Sequence, residues 1–275
     1  MMKEELVSIV MHSHNRGQHV EESVRSVISQ TYKNWELLFV DDNSTDETIQ
    51  LMMGLMSEDV RWQREHGIEP VAYSNSSSRI KVSHTLQTRG TALNRNSALR
   101  DAKGRWVAFL DAGDLWGPTK LEKQIAFMMR NGYSFSYTKY NMIDEDGEDR
   151  GVVIGGKVRV TWKDMKKCCW PVYCTVMYDA QKVGLVQVKD RGNENDFAFW
   201  LKVSRKADCY LLDESLASQR SSRHLFSPFP FFYKIKWRYE ALRAEGNMST
   251  MIAFFMTFRN LWGGILRKIK YVEKV

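Results

Sequence analysis

Trp35-Glu36-Leu37-Leu38-Phe39-Val40-Asp41-Asp42-Asn43-Ser44-Thr45-Asp46 changes character halfway along. Its first six residues form a short, mostly apolar run, the mark of a buried strand. The residues that follow are turn and N-cap formers. Ile49, Met52, Met53 and Met56 then recur at helical spacing. Upstream, residues 6–11 (LVSIVM) form a second β-branched apolar run. Val20, Val24, Val27 and Ile28 mark one face of a helix between the two runs. The order strand, helix, strand, helix predicts an α/β fold: a mostly parallel, Rossmann-like sheet with helices on its faces.

Further along, residues 57–79 lack a period, carry Ser74-Asn75-Ser76-Ser77-Ser78, and read as a long surface loop. Residues 80–82 suggest a short strand. Residues 92–102 read as a helix with Gly104 as its stop. Residues 106–110 (WVAFL) predict a central strand ending in Asp111-Ala112-Gly113-Asp114. Pro118 opens a helix that continues over 121–129. Residues 134–137 and 174–178 read as strands and 197–203 as a helix. After Pro228 and Pro230 comes a basic, aromatic, helical extension. The expected division is a catalytic domain over 1–228 and the extension over 229–275. There is no internal repeat.

The chain has 275 residues, 43% of them hydrophobic, enough for a real core and too many for a disordered chain. Lys+Arg 40 against Asp+Glu 33 gives +7. Residues 231–275 hold nine basic and three acidic residues, so the extension carries +6 and the rest +1. Charge gathered in one terminal segment argues against a nucleic-acid partner and for a surface partner. No secretory signal and no apolar run of spanning length is expected. Cys168, Cys169, Cys174 and Cys209 lack zinc spacing and read as reduced thiols of a cytoplasmic protein.

In open parallel sheets, ligands bind at the carboxyl ends of the strands. Three of the expected strands end in polar clusters: His12-Ser13-His14-Asn15-Arg16, Asp41-Asp42, and Asp111-Ala112-Gly113-Asp114. Carboxylates gathered at one sheet edge repel each other unless a cation joins them, and a divalent ion carrying a diphosphate does so. The plainer alternative is that these acids cap the following helices. No Walker A sequence, no GxGxxG after a strand and no GxSxG elbow is present. Those absences argue against P-loop, dinucleotide and serine-hydrolase chemistry. A nucleotidyltransferase would need a Gly-rich basic loop that residues 5–20 lack.

The 7–11 and 35–46 segments, Ser29-Gln30-Thr31-Tyr32, Arg95-Asn96, Ala102-Lys103-Gly104-Arg105, residues 109–116, Pro118, Lys120-Leu121-Glu122 and Gln124 together resemble inverting glycosyltransferases of family 2, with the GT-A fold. Asn195-Asp196-Phe197-Ala198-Phe199-Trp200 is similar to the segment carrying their catalytic base, in the manner of bacterial enzymes of teichuronic-acid and O-antigen type. The resemblance spans about residues 5–220, and its specificity lies in the combination.

The resemblance implies that Asp196 is the general base and that Trp200 packs its helix. It implies that Asp41 bonds the nucleotide base, usually uracil, and that the backbone of Ser13 and His14 lines the base pocket. Arg95 would lie near the nucleotide or its phosphates, and Asp111 would face the ribose and the metal. The implied cofactor is a divalent cation, Mn or Mg. Gly113 stands where the family's usual ligand carboxylate is, which leaves Asp111 or Asp114 to hold it. His14 replaces a Tyr and either stacks on the base or lies at the surface. The implied donor is a nucleotide sugar, UDP-linked, and the implied acceptor a lipid-linked glycan. A non-catalytic sugar-nucleotide-binding or scaffold protein is the second reading. Trp237, Tyr239, Phe254, Phe255, Phe258 and Trp262 among the tail's basic residues suit the anionic inner face of the cell membrane. Packing on the domain or a homo-oligomer contact is the other reading of the tail.

Overall fold

The computed structural model describes residues 5–65, 78–189, 195–221 and 231–274. The expected Ser-rich stretch 74–77, Pro228, Pro230 and the 228/229 boundary lie outside the described residues.

The chain runs β1 (Val7–Ser13), α1 (Gly17–Ile28), β2 (Trp35–Asp41), α2 (Thr48–Glu65), β3 (Ile80–His84), α3 (Thr91–Asp101) and β4 (Trp106–Phe109). It continues with β5 (Leu115–Trp116), α4 (Lys120–Asn131), β6 (Phe135–Ile143), β7 (Asp149–Ile154), β8 (Arg159–Val160), α5 (Trp162–Lys167), β9 (Met177–Asp179), α6 (Ala180–Val183) and α7 (Asn195–Ser204). Last come β10 (Cys209–Arg220), α8 (Phe231–Ala244), α9 (Thr250–Lys270) and β11 (Val272–Lys274).

The first four strands are mutually parallel in the order β3-β2-β1-β4. All seven residues of β2 are buried, as expected of a strand covered by helices on both faces. β1 runs to β2 and β3 on one side and meets β4 on the other. The carboxyl ends of β1 and β4 therefore form the topological switch point at which such sheets bind ligands. Beyond β4 the sheet turns antiparallel through β9, β6, β7 and β11. β10 pairs with β6 in parallel and with β5 and β8 antiparallel.

Three expectations are corrected. Residues 57–65 are helical, the second half of α2, not loop. Two of the positions that this helix buries, Asp59 and Gln63, are polar, so no apolar period shows. Asp59 instead pairs with Arg79 at 2.6 Å, and Arg79 stacks 3.9 Å over the Trp35 ring. Gly104 does not cap α3, which ends at Asp101. A Cβ there would lie 2.5 Å from the Ser8 amide, so this glycine lets the α3–β4 turn press against β1. Residues 174–178 are not one strand: Tyr173–Thr175 form a 3₁₀ turn ahead of β9.

The extension is helical, as expected, and lies against the sheet domain. α9 packs on α5: Thr257 and Asn260 are buried, and Asn260 Nδ2 donates to the Lys166 carbonyl at 2.9 Å. A Cβ on Gly263 would come 2.5 Å from the Lys167 carbonyl, which shows how closely the two helices approach. β11 extends the sheet edge beside β7. Among the described residues no helix is long and apolar enough to cross a membrane.

Candidate functional site

β1 and β2 end in register, Ser13 beside Asp41. The Asp41 carboxylate is fully buried and accepts bonds from the Ser44 amide at 2.8 Å, the Ser44 hydroxyl and His84 Nδ1 at 2.9 Å. Asp42 reaches across the turn and accepts from the Arg89 and Gly90 amides at 2.8 and 3.2 Å. Gly90, at φ 87°, is the residue from which α3 starts. Burial alone would raise the Asp42 carboxyl, but these backbone bonds help hold it below the ordinary value. The Ser13 carbonyl accepts from the Asp42 amide at 2.9 Å, and exposed His14 donates through Nδ1 to the Asp42 carbonyl at 2.7 Å.

His12 lies 4.0 Å from Asp42. Burial, then the Arg95 charge, pushes its imidazole down to about 4, so it is neutral at physiological pH.

At the end of β4, Arg95 Nη2 donates to both oxygens of Asp111 at 2.6 and 2.7 Å. The same guanidinium lies 3.7 Å over the Tyr173 ring. Burial opposes its charge, but Asp111 and Tyr173 outweigh burial and hold Arg95 firmly protonated. Gly113 has φ +115°, a conformation that suits glycine, and a Cβ there would meet nothing within 4 Å. Its carbonyl accepts from Arg220 Nε at 2.8 Å. The Arg220 amide donates to Asp114 at 2.9 Å. Burial, then the Asp111 charge, pushes the Asp114 carboxyl up to about 7.

Arg95, Asp111, Asp114 and Asp196 line one cavity of about 390 Å³, together with Thr91, Val172, Tyr173 and Gln219. Asp196 stands on the first turn of α7. Burial raises its carboxyl above the ordinary range, while Arg238 and Arg95 pull it back. Trp200 is fully buried and packs edge-on against Phe109 at 5.7 Å, so it holds α7 to the sheet. Ser13, His14 and Asp41 are not on this cavity's wall but at the adjoining strand ends.

Tyr173, Gln219 and Arg220 carry no sequence signal. The 3₁₀ turn and β10 bring them in from far along the chain.

Among the described residues no three His, Cys, Asp or Glu side chains cluster as a metal cage. Two carboxylates on one cavity wall, Asp111 and Asp114, fit the other mode of binding, in which a divalent ion takes one or two carboxylates and completes its shell with substrate phosphates.

Comparison with known proteins places the chain in a family. The profile described as Glycosyl transferase family 2 matches residues 8–166. TuaG of Bacillus subtilis, assigned provisionally as a teichuronic acid biosynthesis glycosyltransferase, is 34% identical over 78% of this chain and 79% of its own. WfgD of Escherichia coli, a UDP-Glc:alpha-D-GlcNAc-diphosphoundecaprenol beta-1,3-glucosyltransferase, is 33% identical over 74% of this chain and 71% of its own. Two solved structures share the fold at low identity. S. aureus TarS 1–349 in complex with UDP-GlcNAc superposes with TM-score 0.64 at 19% identity, covering 93% of this chain and 71% of TarS. Mannosyltransferase PcManGT of Pyrobaculum calidifontis, in complex with GDP-Man and Mn2+, superposes with TM-score 0.64 at 14% identity, covering 98% and 74%. The central sheet with flanking helices is the GT-A fold.

Proposed function

The chain belongs to glycosyltransferase family 2, and from that membership we propose that it moves a hexose from a UDP-sugar, with inversion, to a lipid-linked glycan in cell-surface polysaccharide synthesis. The observation that carries this is the shared cavity: a half-buried carboxylate, Asp196, opens into the same space as the Arg95–Asp111 pair. Inverting transfer is a single in-line displacement. The acceptor oxygen bonds to the anomeric carbon as the bond to the diphosphate oxygen breaks, and a base takes the hydroxyl proton. Asp196 takes that proton, and its raised affinity for protons suits the task. Arg95 supplies fixed positive charge where the diphosphate leaves, in a site partly closed to water.

On the donor side, Asp41, Ser13 and His14 form the base pocket. Asp41 acts there mainly through the turn it fixes: three of a carboxylate's roughly four acceptor positions are already filled. Asp111 and Asp114 would hold a divalent ion, Mn or Mg, and the chemistry it would supply is positive charge for the leaving diphosphate. Residues 1–228 form the catalytic unit and 229–275 the extension. The extension exposes Phe255 at 68%, Trp262 at 61% and Ile269 at 73% among its basic residues, a surface suited to the inner leaflet of an anionic membrane.

The names of WfgD and TuaG support the lipid-diphosphate acceptor and the cell-surface product. The second reading, a sugar-nucleotide-binding or scaffold protein without turnover, draws on one observation: Gly113 leaves the site one carboxylate short. A thermal-shift screen of nucleotide sugars with and without Mn²⁺, followed by UDP release on adding a GlcNAc-diphospholipid, separates the two. A bound donor stabilises the fold by RT ln(1 + [L]/Kd). Binding without UDP release supports the second reading, and no binding of any UDP compound overturns the first.

A further inference from the structure

Asp196 lines a second cavity, of about 280 Å³, which meets the first at Asp196 and Val172. Its other wall is built by the C-terminal extension: Arg238 from α8, and Leu261, Gly264 and Arg267 from α9. Arg238 lies 4.3 Å over the Phe197 ring, next to Asp196, and its charge is the strongest pull opposing the burial of that carboxyl. Arg267 Nη1 donates to the Cys169 carbonyl at 3.2 Å, while its buried Nε has no hydrogen-bond partner among the described residues. Two guanidinium groups thus line a cavity in which, among the described residues, Asp196 is the one acidic side chain. Arg267 is also on the wall of a neighbouring groove of about 490 Å³, with Trp170, Trp262 and Lys270. That groove is also lined by Leu266, which is 48% exposed.

We propose that the cavity between Asp196 and α9 binds the phosphate or diphosphate of the acceptor, with Arg238 and Arg267 as its cationic ligands. The inference rests on the reading of Asp196 as the base. A planar guanidinium pair matches phosphate oxygens in bidentate fashion. An acceptor anchored there presents its sugar to Asp196. The chain beyond the phosphate leaves through the basic, aromatic groove towards the apolar side of α9. The donor diphosphate belongs at the strand ends with Arg95, so two anions are held on two sides of one carboxylate. The extension is then part of the acceptor site as well as a covering for the sheet.

The test uses the full chain and three probes: farnesyl diphosphate, inorganic pyrophosphate and UDP, each titrated by calorimetry. Farnesyl diphosphate should bind, and more tightly than pyrophosphate, which shares the anion and lacks the chain. Arg238→Gln and Arg267→Gln should each weaken it by about tenfold or more, the usual consequence of losing one partner of a buried charge contact. Lys at either position should restore part of the loss. Gly264→Leu gives an independent check, because a Cβ there meets nothing within 4 Å, so the side chain fills the cavity without distorting α9. It should abolish farnesyl diphosphate binding and leave UDP affinity unchanged. Equal binding of pyrophosphate and farnesyl diphosphate would show a site for free phosphate and overturn the acceptor assignment. Loss of UDP affinity in the arginine variants or in Gly264→Leu would move the cavity to the donor and overturn it as well. If the wild-type chain binds farnesyl diphosphate in this pattern but no UDP compound, the donor reading fails and the anion site stands.

Discussion

The acids at the end of β2 and those around the end of β4 have opposite fates. Asp41 and Asp42 are closed off: serine, histidine and backbone N–H groups fill their oxygens. Asp111, Asp114 and Asp196 face a cavity. The strand ends look alike in sequence, and the surroundings separate them. The β2 acids meet the start of α3, which offers unpaired amides. The β4 acids meet Tyr173 and Gln219, brought in by the 3₁₀ turn and β10, which close a space. The β2 acids are used up by several donors each, whereas Asp114 and Asp196 each accept one backbone amide, from Arg220 and Phe197, and still border open space.

The largest effect expected from that contrast is at Asp196. Asp196→Asn should lower kcat by about 10²–10⁴-fold, the range for general-base catalysis, with UDP affinity retained. Its stability at neutral pH should hold or rise. A carboxyl whose pKa is raised by burial costs stability once pH exceeds its unfolded value, and Asn removes that cost. A drop in melting temperature alongside the lost activity would put Asp196 with the loop builders.

Asp42→Ala should do the reverse, costing about 1–3 kcal/mol of stability by orphaning the Arg89 and Gly90 amides. Chemical denaturation reads it, and an unchanged midpoint would break the contrast. On the exposed face of α9, Phe255→Asp with Trp262→Asp should release the chain from phosphatidylglycerol vesicles in sedimentation, as added salt should. Point substitutions are preferable to deleting 231–275, because α9 and β11 cover α5 and β7. Retention on vesicles at high salt by the double variant would show that this surface does not bind lipid. The smallest effect is Gly113→Asp. The space is open, so the cost is that of a side chain at φ +115°, on the order of 1 kcal/mol. Mn²⁺ affinity in the presence of UDP should rise. A fall in both stability and metal affinity would show that a carboxylate there points away from Asp111 and Asp114.

The parallel half was legible because β1, β2 and β4 are continuous apolar runs and α1 carries an unbroken apolar stripe. Where buried positions are polar, as with Asp59 and Gln63, the same reasoning saw loop. β10 mixes buried positions with exposed Asp213 and Ser215, and its long reach gave no local sign. In the candidate site, Asp111 and Asp114 could be named from the polar end of an expected strand, and Arg95 and Asp196 from the family resemblance. Their neighbours Tyr173, Gln219 and Arg220 could not, since tertiary contacts alone bring them there. Arg238 and Arg267 read as surface charge of the tail, yet the packing of α8 and α9 turns both towards Asp196.

The pH dependence of kcat/KM for UDP-sugar transfer, in the wild type and in Asp196→Asn, bears most directly on Asp196 as the base. Burial raises that carboxyl above the ordinary aspartate value of about 3.9, and the base works only when deprotonated. Wild-type activity should therefore fall as pH drops through an acidic limb lying above that value, and the residual activity of Asp196→Asn should lack the limb. The same limb in the variant, at undiminished turnover, would contradict the assignment.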